Sequence, residues 1–208
     1  MYTYLRKYKV GGVNLMYKTR NLILVSLFTA LTAIGAFITI PIPVVPFTLQ
    51  FLFCAFAGIL LGAKLGALSQ LLYVLIGLLG LPVFTQGGGI GYILKPTFGY
   101  LIGFIVAAYV IGKITEKIKV LTIKNSLCSI LIGLFFVYIF GVVHLYLIKN
   151  LYLGTSNFGI MTAIWSGAIV CLGGDILLSI ITSVVAVKTI PIIRKIGYAP
   201  YNKNIKSK

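Results

Sequence analysis

A chain of 208 residues with 60% hydrophobic side chains, only 10% charged residues and a mean hydropathy of +1.08 is neither a soluble globular domain nor a disordered one. Lys and Arg number 18 against two acids, a net charge of +16. The basic residues sit between apolar runs and not in one patch, which points to a membrane surface and excludes nucleic acid as the partner.

Residues 1–21 hold Arg6, Lys7, Lys9, Lys18 and Arg20 without a short apolar core and small-residue cleavage pattern, so they read as a basic cytoplasmic tail. Residues 22–190 read as an all-α integral membrane domain of six transmembrane helices, over 22–40, 47–62, 65–80, 98–115, 125–149 and 160–190. Residues 191–208 form a second basic tail. The first span carries Ser26 and Ala30 four residues apart, then Ala33 and Ala36. Small residues at that spacing let helices approach closely in lipid, either within the bundle or against a partner. The second and third spans are short and meet through Gly62-Ala-Lys64-Leu-Gly66, which predicts a helical hairpin. The last segment is too long for one straight span. Gly167 and Gly173-Gly174 are expected to divide it into an entry piece and a true span from about 173 to 190.

Charge fixes the expected orientation. Five basic residues lie in the N-terminal tail, Lys64 in the turn between spans two and three, and Lys113, Lys117, Lys119 and Lys124 between spans four and five. Lys188, Arg194, Lys195, Lys203, Lys206 and Lys208 close the chain, leaving only Lys95 and Lys149 for the opposite side. The positive-inside rule therefore puts both termini in the cytoplasm, with the connections 41–46, 81–97 and 150–159 facing outward.

The outward connections carry the unusual chemistry. In the first, Pro41, Pro43 and Pro46 impose a stiff extended backbone; Thr48 can cap the next helix, and Gln50 offers an amide on its first turn. The second runs from Gly80 to Tyr100 and contains five glycines between 87 and 99, interleaved with Phe84, Thr85, Gln86, Tyr92, Lys95 and Thr97. Flexible backbone between aromatic rings suits a pocket wall with a few polar handles, or an interfacial aromatic belt. Gly-Lys-Ser/Thr is missing, so this is no phosphate loop. Asp175 is one of two acids in the chain and lies in the apolar run Ala168-Ile-Val-Cys-Leu-Gly-Gly-Asp-Ile-Leu-Leu, near the expected outward end of the last span. A carboxylate in hydrocarbon costs at least about 3 kcal/mol, so it faces inward to a partner, water or a ligand. Trp165 stands near the outer interface as an anchor or as a wall for a bound ring, and the single His144 reads first as a packing residue. Cys54, Cys128 and Cys171 are isolated in apolar runs, with no metal or redox spacing, and nothing calls for a cofactor.

Leu31-Thr-Ala-Ile-Gly-Ala-Phe-Ile, Val45-Pro-Phe-Thr-Leu-Gln50, Gly80-Leu-Pro-Val-Phe84, Pro96-Thr-Phe-Gly-Tyr100-Leu-Ile-Gly-Phe and Gly174-Asp175 occur in that order. Together they resemble the BioY family, the biotin-binding S-components of energy-coupling-factor (ECF) transporters. The resemblance spans about 22 to 190. It implies a six-helix membrane protein that captures biotin from outside and joins a transmembrane coupling protein, EcfT, and two ATPases. It also implies docking on EcfT through the Ser26/Ala30 motif. Asp175 would accept the two ureido N–H groups of biotin as charge-assisted bonds. Thr48, Gln50, Phe84, Gln86, Tyr92, Thr97, Tyr100 and Trp165 would complete the substrate site. The family commonly has a lysine three residues after the aspartate, and here that position is Leu178; Lys95 stands where glycine usually precedes Pro-Thr. Lys95 is therefore expected to supply the missing cation, for Asp175 or for the valerate carboxylate. A biotin precursor or analogue stays open as the substrate. So does a solitary ion-coupled transporter with Asp175 as proton carrier. An enzyme using Asp175 and His144 is disfavoured, since no nucleophile, metal set or second carboxylate accompanies them.

Overall fold

The computed structural model describes residues 9, 10, 13–154 and 158–195; about half of the N-terminal basic tail and most of the C-terminal one, with the readings attached to them, lie outside the described residues. The sequence forms β1 (Lys9–Val10) paired to β2 (Val13–Asn14), then α1 (Leu15–Phe37) and the antiparallel pair β3 (Thr39–Ile40) and β4 (Phe47–Thr48). Helices α2 (Gln50–Leu61) and α3 (Ala63–Leu78) follow, then a short 3-10 helix over Ile90–Leu94 and α4 (Phe98–Lys117). Helix α5 (Ile123–Leu147) continues into a π-turn over Ile148–Tyr152. After the next connection come α6 (Ile160–Ile164), a π-turn over Trp165–Ile169 and α7 (Val170–Lys195), in one unbroken helical path.

Four of these runs are long and apolar enough to cross a bilayer: Thr19–Phe37, Phe98–Lys117, Ile123–Tyr152 and Ile160–Ile192. Helices α2 and α3 have 12 and 16 residues, or roughly 18 and 24 Å at 1.5 Å per residue, and each falls short of a 30 Å hydrocarbon core. They form the expected hairpin. Gly62 makes its turn at φ +81°, a left-handed conformation that costs a glycine nothing, and Gly66 then sits against the backbone of Ala57 and Gly58.

Glu116 and three lysines share one end of the bundle. Helix α4 crosses the α2–α3 turn so closely that a Cβ on Gly112 would meet Gly62 and Ala63. There Glu116 Oε1 accepts the Ala63 N–H at 2.8 Å, satisfying a free amide at the start of α3. That explains the second acid of the chain, and it places Lys64, Lys113 and Lys117 together. At the opposite end, Gly35 near the close of α1 packs on Leu49 and Gln50. The core between the ends is built from α2, α4, α5 and α7, with Ile59, Ala107, Ile111, Ile130 and Ala186 fully buried. Large apolar side chains such as Leu27, Phe135 and Leu177 stay exposed on the outside, as a bilayer requires.

Two boundaries differ from expectation. Helix α1 starts at Leu15 and not at 22, since nothing from Leu15 to Asn21 breaks a helix. Helix α7 does not break at Gly173-Gly174. A Cβ on Gly174 would fall 2.5 Å from Phe47 Cε2, so this glycine makes room for a ring and does not end the helix. Asp175 accordingly lies fifteen residues past Ile160, roughly 22 Å along the helix and close to the middle of the run, not at its end.

Candidate functional site

Between the β3–β4 and α3–α4 connections on one side and the long helices on the other lies an open-sided cavity. Each of its walls comes from a local feature of the sequence. Pro43 and Pro46 hold the first connection extended, and β3–β4 pairing brings Val45, Pro46, Phe47 and Thr48 over the cavity. Gln50 opens α2 from 5% exposure. Its Nε2 donates to Tyr73 Oη at 2.8 Å, while Thr48 Oγ1 donates to Gln50 Oε1 at 3.0 Å and accepts the Gln50 amide at 3.3 Å. Thr48 thus does satisfy the helix start, from the residue before the cap position Leu49. Tyr73 Oη in turn donates to the carbonyl of Val83 at 3.0 Å, tying the β3–β4 connection to the α3–α4 connection.

The second connection folds back at Phe84–Gly87, where the two residues form a bridge, and then enters the 3-10 turn. Tyr92 Oη lies 3.0 Å from Thr85 Oγ1 and 3.2 Å from Thr97 Oγ1, a chain of three hydroxyls on the cavity wall. Phe84 is buried behind it, its ring 4.5 Å from Tyr92 and 5.4 Å from Tyr73. The far wall belongs to the long helices: Tyr100, Leu101 and Phe104 from α4, Val137 and Tyr138 from α5, Gly167 from the π-turn, and Cys171 and Asp175 from α7. The π-turn leaves the carbonyl of Gly167 free to accept Tyr100 Oη at 2.7 Å. Asp175 is 8% exposed, and Tyr138 Oη donates to its Oδ2 at 2.5 Å. Among the described residues lining the cavity, Asp175 is the sole ionisable acid and no Lys or Arg joins it.

Of the residues expected from sequence, the cavity thus brings together Thr48, Gln50, Tyr92, Thr97, Tyr100 and Asp175, with Phe84 supporting Tyr92 from behind. Gln86, Lys95 and Trp165 do not line it. Gln86 sits exposed at the tip of the Phe84–Gly87 turn. Lys95 is exposed at the end of the 3-10 turn and makes no ion pair with Asp175, whose carboxylate is held by Tyr138 instead. Trp165 is 65% exposed on the outer side of its helix. His144 does not enter the cavity; its ring lies 5.8 Å from Phe98. Tyr138, Thr85, Phe47 and Cys171 line the cavity without having been among the expected substrate-site residues. A hydroxyl midway along an otherwise apolar span was the one available signal for Tyr138.

The BioY family profile matches residues 7–195. The probable biotin transporter BioY of Lysinibacillus sphaericus is 52% identical over 139 residues, covering 67% of this chain and 71% of that one. The biotin transporter BioY of Rhodobacter capsulatus is 35% identical over 175 residues, 80% of this chain and 91% of its own. The crystal structure of the S-component for biotin from an ECF-type ABC transporter superposes with a TM-score of 0.75 and 29% identity, over 88% of this chain and 95% of that one. A family match over nearly the whole described chain, one shared helical architecture and close relatives agree: the chain belongs to the BioY family.

Proposed function

We propose that the chain is the substrate-binding subunit of an ECF-type transporter and captures biotin from the outer side of the cytoplasmic membrane. The observation that carries this is the cavity itself, in which a single carboxylate stands among aromatic and aliphatic walls. A ureido N–H of biotin donates to Asp175 as a charge-assisted bond, and its fused ring lies against Phe47, Tyr100 and Phe104. The valerate tail leaves by the open side, where Lys95 lies two residues from the cavity-lining Thr97. Lys95 then meets the ligand carboxylate at the rim and does not neutralise Asp175.

In this reading both termini are cytoplasmic. The clustering of Lys64, Lys113 and Lys117 at the end remote from the cavity supports that orientation. Energy comes from a separate module, a coupling protein of the EcfT type with two ATPases, and the chain itself catalyses no reaction. Ser26 and Ala30 supply the docking face; both are exposed on α1 beside an open groove that Leu72 and Ile76 of α3 complete. The test is radiolabelled biotin binding by detergent-purified protein, with dethiobiotin as competitor. Saturable binding of biotin is expected, and no saturable binding of either compound would sink the reading.

A further inference from the structure

We propose that Tyr73 is a positioning residue: it fixes the Gln50 amide so that one Nε2 proton is left to donate to the ureido oxygen of the ligand. The inference rests on the biotin reading above and refines it. Tyr73 stands on α3 at 1% exposure and does not line the cavity, whereas Gln50 does. Its influence on a ligand therefore runs through Gln50. The Val83 carbonyl can only accept, so the single phenolic proton of Tyr73 goes there, at 3.0 Å. Tyr73 Oη is then an acceptor toward Gln50, and the amide must present its nitrogen, at 2.8 Å. On the other side Thr48 Oγ1 accepts the Gln50 backbone N–H and gives its own proton to Oε1 at 3.0 Å. Turned over, the amide would set Oε1 against Tyr73 Oη, and the phenol could answer only by taking its proton from the Val83 carbonyl.

The amide is thus held one way, and of its two N–H protons only one is spent on Tyr73. The other is a donor for the ligand. Other hydroxyls of the cavity are committed or placed elsewhere. Tyr100 and Tyr138 give their protons to the Gly167 carbonyl and to Asp175. Thr85, Tyr92 and Thr97 keep one spare O–H among them, on the connection that also carries Lys95 and so on the side of the valerate tail. Gln50 opens α2, which packs on α7, the helix of Asp175. An N–H and the C=O of a cyclic urea lie side by side on one edge of the ring. An acceptor from α7 and a donor from α2 read that edge with one bond each: the N–H goes to Asp175, and the oxygen receives Gln50.

The test sets one protein donor against one ligand acceptor. Calorimetry compares biotin with its thiourea analogue, in which sulfur, a weaker acceptor, replaces the ureido oxygen, on wild type, Tyr73→Phe and Gln50→Leu. Wild type should bind the analogue about 10-fold or more weaker than biotin. The larger size of sulfur acts on all three proteins alike and cancels when the affinity ratios are compared. Gln50→Leu keeps the bulk and removes the donor, so its ratio should fall about 5-fold or more below that of wild type. Tyr73→Phe lets the amide turn over without cost to Val83, and its ratio should fall in the same direction. A purely structural role for Tyr73 lowers both affinities in proportion, so a wild-type ratio in folded Tyr73→Phe overturns the positioning role. Where Tyr73→Phe fails to fold, Gln50→Leu decides, and a wild-type ratio there overturns the proposal. Either result leaves the transport reading intact, whereas no saturable biotin binding by wild type overturns both.

Discussion

Gly174 and Gly173 differ by one position, and the structure gives substitutions at them opposite consequences. A Cβ at Gly174 would lie 2.5 Å from Phe47 Cε2 and 2.6 Å from Cζ, whereas a Cβ at Gly173 meets nothing within 4 Å. Carbon atoms pack best at roughly 3.5 to 4.0 Å, so Gly174→Ala must drive the Phe47 ring back by about 1 Å. Phe47 has little freedom to retreat, because it is half-buried and β4 pairs it with Ile40. Overpacking of this kind costs about 1 to 3 kcal/mol. If that cost falls on the binding-competent arrangement, biotin affinity drops about 5- to 150-fold. Gly173→Ala gains helix propensity of up to about 1 kcal/mol and should bind biotin as wild type does. Calorimetric titration of both variants in detergent reads the difference directly. Equal effects at the two positions, or wild-type affinity for Gly174→Ala, would refute the assignment of Phe47 as a cavity wall held by α7.

Three further outcomes follow from other contacts. Gln50→Ala leaves Tyr73 Oη and Thr48 Oγ1 without their amide partner; at about 1 to 3 kcal/mol for the lost buried bonds, biotin dissociation measured by filter binding should accelerate about 5-fold or more. Glu116→Ala removes the acceptor for the Ala63 amide at the opposite end, so thermal unfolding in detergent should show a loss of about 0.5 to 2 kcal/mol while biotin affinity stays unchanged. Lys95→Ala should weaken biotin by no more than about 5-fold, the size of a rim charge, and leave biotin amide unaffected; equal binding of biotin by both proteins at low salt would remove Lys95 from the site.

Much of this was legible in the residues. Proline spacing announced a stiff, extended first connection, and the hairpin at Gly62 followed from two short apolar runs around a Gly-rich turn. Asp175 stood out because hydrocarbon tolerates few acids. What stayed hidden depended on distance between spans. That Tyr138 meets Asp175 depends on how far α5 and α7 slide past one another, which no local pattern encodes. Gly174 looked like a helix breaker because sequence shows the backbone freedom of a glycine but not the Phe47 ring that needs its space. Lys95 looked like a replacement for the family lysine missing at Leu178, whereas the partner of the Asp175 carboxylate is the Tyr138 hydroxyl.

The central claim is that Asp175 reads the ureido group of biotin inside this cavity. Calorimetric titration of biotin into purified wild type and Asp175→Ala tests it most directly. Wild type should show one saturable site, and Asp175→Ala should bind about 10- to 150-fold more weakly, the loss expected for hydrogen bonds to a charged group. Equal affinity of a folded Asp175→Ala protein would contradict the account.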